Sequence, residues 1–143
     1  MNGIEIIDNF LEQDNFIELQ KFFMSPRSQW RFIDFVVSKD QDNQKKDGYF
    51  VHSFRDLHPI TYKDRFPISP NYDVLYSLLD KLGKKVNFKQ ILRIRSSLFT
   101  RRERPHPDAF HVDYKFDHKV CIFYVNTNNG YTLFKDGEKV ESV

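Results

Sequence analysis

A single cysteine, Cys121, stands among 143 residues, so no disulfide within the chain is possible. That fits a reducing compartment, and we expect a cytoplasmic protein. Long apolar runs are missing as well. No stretch approaches the ~20 residues of a membrane span, so no membrane partner is expected. The N-terminal residues MNGIEIIDNFLEQDNF lack both a basic start and an extended apolar stretch, which argues against a secretion signal. No internal repeat and no low-complexity linker interrupts the chain. Residues 1–143 read as a single domain.

Aromatic residues are abundant, with 15 Phe and 7 Tyr. Such side chains favour a pleated, half-buried surface, which tilts the expectation towards sheet. The net charge of +2 conceals an asymmetry. Between Lys81 and His106 lie nine basic residues and one acid, a local charge of +8, which leaves −6 for the remainder. This segment reads either as solvated strand and loop charge or as an anion-binding stripe.

Ile4–Phe10 reads as a short strand. A helix is expected over roughly Glu12–Met24, where Phe16, Leu19, Phe22 and Phe23 make one apolar face and Ser25-Pro26 stops it. Trp30–Val37 is apolar and β-branched, hence a strand. Lys39–Gly48 is polar and reads as a loop, and Tyr49–Phe54 as the next strand. A second helix is expected over about Asn71–Leu82, capped by Ser69 or Asn71, with Gly83 at its C-terminus. Phe88–Thr100 reads as a long strand. Lys119–Asn126, Tyr131–Lys135 and Glu138–Val143 read as a meander joined at Asn128-Asn129-Gly130 and Asp136-Gly137. Helices early and strands late predict an α+β domain.

Two His-x-Asp triplets stand close together, His106-Pro107-Asp108 and His111-Val112-Asp113. With five histidines in a chain of this composition, about 0.5 such triplets arise by chance. On a strand, residues i and i+2 face the same side, so the triplet aims an imidazole and a carboxylate at one point. With a second His they form a facial triad that holds Fe(II) and leaves three positions open. The His111 copy suits this better, because Pro107 and a basic loop surround the other.

The run from His111-Val112-Asp113 through YVNTNNGYTLF and KDGEKV resembles the Fe(II)/2-oxoglutarate-dependent oxygenases of the prolyl-4-hydroxylase-like type. The specific match covers roughly residues 111–143. The resemblance implies a double-stranded β-helix, or jelly roll, with N-terminal helices packed on its sheet. It implies oxidative decarboxylation of 2-oxoglutarate coupled to hydroxylation of a substrate C–H bond. It also implies His111 and Asp113 as metal ligands, with Tyr114 and Tyr124 as candidate contacts to 2-oxoglutarate or as core aromatics.

The family carries its second metal His, and a basic residue that pairs with 2-oxoglutarate, downstream of the triplet. Here the only His after His111 is His118, and no Arg follows Arg104. The expectation is thus an incomplete jelly roll lacking its C-terminal strands, with two protein ligands and impaired activity. Unpaired strand edges would favour a homodimer. His118 reads as a stand-in ligand or a solvent-facing residue, His52 and His58 as structural, and Cys121 as buried. Arg93 and Arg95 share a strand face with Phe99 and read as surface residues or as the rim of an anionic substrate's entrance. The competing function is a non-catalytic binding domain. Its basic segment 81–104, interleaved with Phe88 and Phe99, would hold an anionic partner, but no nucleic-acid motif is present.

Overall fold

In a computed structural model, residues 3–34, 48–101 and 110–141 are described. Among the described residues, two helices and two sheets make a mixed α+β protein. Helix α1 spans Gln13–Phe23, a 3-10 turn spans Tyr72–Leu75, and α2 runs directly on from it over Tyr76–Lys85. The strands are β1 (Arg31–Ile33), β2 (Tyr49–Asp56), β3 (Arg93–Leu98), β4 (Tyr131–Leu133) and β5 (Lys139–Glu141). They form a sheet of order β1-β2-β3 and a separate antiparallel pair β4-β5. Among the described residues no helix is long and apolar enough to cross a membrane.

The chain divides into two compact units. The first comprises Met1–Gln29 and His52–Ser96. Its α1 follows the expected period: Leu19 and Phe22 are buried, while Phe16 and Phe23 are half-buried. Asp14 in the first turn and Lys21 in the last complement the helix dipole. The helix stops where the Ser25 amide and hydroxyl both donate to the carbonyl of Phe22, with Pro26 next. Phe54 of β2 meets this face, its ring 6.1 Å from Phe22 and 6.0 Å from Phe23. Leu11, Leu57 and Leu75 complete the apolar core.

A polar chain runs through that core. Ser69 Oγ accepts the Asn71 amide at 3.2 Å and lies 3.0 Å from His52 Nε2. His52 Nδ1 lies 3.0 Å from the Gln29 carbonyl. A carbonyl can only accept, so Nδ1 carries the proton, and in the neutral ring the Ser69 hydroxyl donates to Nε2. His52 thus joins β2 to Gln29 and to the Ser69 segment. Ser69 precedes the 3-10 turn and also donates its amide to Phe54 O. It anchors the start of this helical stretch, although no side chain caps the turn or α2 directly.

The second unit comprises Trp30–Val51 and Ser97–Val143. Here β1 pairs antiparallel with the start of β2, Phe32 opposite Phe50 and Ile33 opposite Tyr49. The Phe32 and Phe50 rings meet edge to face at 5.4 Å, and Tyr49 stacks on Phe99 at 5.0 Å. The β4-β5 hairpin turns at Asp136-Gly137 as its sequence requires. Gly137 has φ +91°, and Asp136 Oδ1 accepts the Glu138 amide.

Several expected elements differ. Ile4–Phe10 forms no strand; it turns at Asp8-Asn9, with Asn9 at φ 52°. The strand expected over Trp30–Val37 covers only Arg31–Ile33 among the described residues, and loop residues 39–47 lie outside them. Gly83 does not end α2, which continues to Lys85. The long strand over Phe88–Thr100 shortens to Arg93–Leu98. Lys119–Asn126 is not a strand. Apolar alternation fixes which side chains share a face, but a strand also needs a neighbour in hydrogen-bonding register.

Candidate metal centre at His111 and Asp113

Both candidate ligands lie in the second unit, on an irregular segment that bends at Asp113 and again at Lys115-Phe116. His111 Nε2 stands 4.0 Å from Asp113 Oδ1, with the side chains 45% and 24% exposed. A coil thus brings together the two groups that the sequence predicted a strand would aim at one point. Metal–donor bonds of about 2.1 Å put adjacent octahedral ligands roughly 3.0 Å apart. The donor set, one imidazole and one carboxylate, fits two positions of a facial triad. Among the described residues no group of three His, Cys, Asp or Glu side chains converges, so His118 does not join the pair. His106-Pro107-Asp108 lies outside the described residues.

The neighbouring aromatics form a small cluster. Tyr114 stacks on Phe116 at 5.0 Å, and the His118 ring meets Tyr114 edge to face at 5.3 Å. His118 Nδ1 donates to the Phe116 carbonyl at 2.7 Å, which leaves Nε2 as the nitrogen with a lone pair when the ring is neutral. Tyr124 takes another role: its hydroxyl is 2.9 Å from Thr132 Oγ1, tying its segment to β4. Tyr114 is thus beside the candidate ligands in the chain, and Tyr124 is engaged with the hairpin.

The remaining candidates sort by their contacts. His58 Nδ1 accepts the amides of Ile60 and Thr61 and shapes a turn. Cys121 is exposed, not buried as expected. Arg93 is half-buried and Arg95 exposed on β3. In the basic segment, Lys81 pairs with Glu12, Lys84 with Asp80 and Lys85 with Glu5. These carboxylates offset the front of the +8 segment. The clefts beside α2 are lined by Leu11, Glu12, Asn15 and Lys81, or by Ile7, Phe10 and Lys85. All of these belong to the first unit, whereas His111 and Asp113 belong to the second.

No family model matches the chain, and neither does any curated protein or solved structure.

Proposed function

We propose that this chain carries the His-x-Asp part of an iron site of the Fe(II)/2-oxoglutarate-dependent oxygenase type, in a jelly-roll fold. The observation that supports it most is the 4.0 Å approach of His111 Nε2 to Asp113 Oδ1. In this reading the neutral imidazole of His111 and the carboxylate of Asp113 bind Fe(II). Bound there with 2-oxoglutarate, the ion would supply the oxidative chemistry of C–H hydroxylation. In this reading Tyr114 and Tyr124 are the candidate contacts to the cosubstrate, Tyr124 with its hydroxyl already held by Thr132. His111 and Asp113 by themselves would hold the ion weakly.

An anaerobic Fe(II) titration, with and without 2-oxoglutarate, tests the site through the weak visible charge-transfer band of the ternary complex. The band is expected for the wild-type chain, unchanged in His106→Ala and absent in His111→Ala. No band, or a band that survives His111→Ala, overturns the assignment.

A further inference from the structure

We infer that residues 110–122 form an antiparallel strand pair with the same residues of a second copy, across a two-fold axis at Phe116. An exposed apolar row marks the segment. Phe110, Val112, Phe116, Val120 and Ile122 are 54%, 74%, 47%, 59% and 56% exposed. With Tyr114 and His118 they occupy every second position from 110 to 122, the spacing of one strand face. The alternate positions carry His111, Asp113, Lys115, Asp117, Lys119 and Cys121. The segment thus has the two-residue period of an amphipathic strand, yet it belongs to no strand among the described residues.

Its charges indicate what pairs with it. In an antiparallel self-pair centred on Phe116, Asp113 stands opposite Lys119 of the second copy and Lys115 opposite Asp117. Each contact occurs twice by symmetry. The same register sets Val112 opposite Val120, Phe110 opposite Ile122 and Phe116 opposite itself. Tyr114 meets His118, a contact these rings already make within one chain at 5.3 Å. His111 meets Cys121, which is neither an apolar nor an ion pair.

Shifting the register by two residues keeps the faces but reverses the electrostatics. Centred on Lys115, the pair opposes Lys115 to Lys115 and Asp113 to Asp117. Centred on Asp117, it opposes Asp117 to Asp117 and Lys115 to Lys119. Like charges directly opposite are destabilising, so one register is selected and its neighbours rejected.

Pairing must straighten the bends at Asp113 and Lys115-Phe116 and exchange the His118–Phe116 carbonyl bond for a ladder bond. Strand formation is thus coupled to association, and the apolar row leaves water only in the dimer. The dimer needs no metal; because it engages Asp113 with Lys119 of the second copy, Fe(II) bound at Asp113 would compete with it, and the charge-swap test below is made without metal.

The test uses Lys115→Asp and Asp117→Lys, neither of which alters a candidate ligand. Sedimentation of the 17.2 kDa wild-type chain should show a concentration-dependent dimer. Each single variant opposes like charges twice and should dimerise about tenfold more weakly. An equimolar mixture of the two restores both ion pairs and should recover wild-type association as a heterodimer, which misfolded variants could not do. Independently, Phe116→Cys in a Cys121→Ser background should cross-link on oxidation, and Val112→Cys should not. A wild-type chain that stays monomeric at millimolar concentration, or no recovery on mixing, overturns the proposal.

Discussion

The Nε2 atom of His52 on β2 lies 3.0 Å from the hydroxyl of Ser69, and both residues are buried. Through this bond the strand and the segment that starts the 3-10 turn hold each other in place. Ser69→Ala leaves a buried ring nitrogen without its donor and frees the Asn71 amide, so it should cost about 1–3 kcal/mol. Urea unfolding measures this loss. A variant as stable as the wild type would show that water replaces the hydroxyl without penalty.

Phe54 is 1% exposed between Phe22, Phe23 and His52. Phe54→Ala should lose about 3–5 kcal/mol, the range for deleting a buried aromatic ring. Ile60, 81% exposed, gives the contrast: Ile60→Ala should stay within about 0.5 kcal/mol of wild type. Equal losses at both positions would place the core elsewhere.

Glycines separate the helix from the sheet. Gly83 lies inside α2 with open space around its Cα, so Gly83→Ala should raise stability by about 0.5–1 kcal/mol. A loss at this position would restore the helix end that the sequence suggested. At Gly48 an added Cβ would come 2.9 Å from the Ile33 carbonyl and would collide with the Phe32 ring. Gly48→Ala should therefore destabilise the β1-β2 pairing, seen as faster amide exchange at Ile33 and Tyr49.

The Lys139 ammonium hydrogen-bonds to the Glu141 carboxylate and attracts it, which lowers the pKa of Glu141 below the ordinary glutamate value. Lys139 also lies 4.4 Å from the Tyr131 ring, and Tyr131 is opposite Glu141 across the hairpin. A depressed folded-state pKa stabilises the hairpin above the unfolded value, and that contribution disappears as pH falls through the folded one. The Tyr131 and Thr132 resonances should shift with this acid transition in the wild type but not in Glu141→Gln. An identical shift in both would assign the transition to another carboxylate.

What the sequence by itself determined is what local chemistry can determine. The 3.6-residue period of Phe16, Leu19, Phe22 and Phe23 set α1 and its buried face, and Ser25-Pro26 set its end. Asp136-Gly137 set the β4-β5 turn, because a positive φ suits glycine. His-x-Asp spacing marked an imidazole and a carboxylate that approach each other. Only the tertiary structure decided which apolar stretches became strands. Tyr49–Asp56 found β1 and β3 as neighbours, while Lys119–Asn126, the more apolar of the two, is not a strand. It also decided that His52 is a buried link to Ser69, since those residues stand 17 apart and no local pattern joins them. Gly83 stayed within α2 because a helix end depends on the neighbouring chain and its packing as much as on the residue at that position. Local propensity acts within a few residues; strand pairing and buried hydrogen bonds join distant ones, and only folding brings those together.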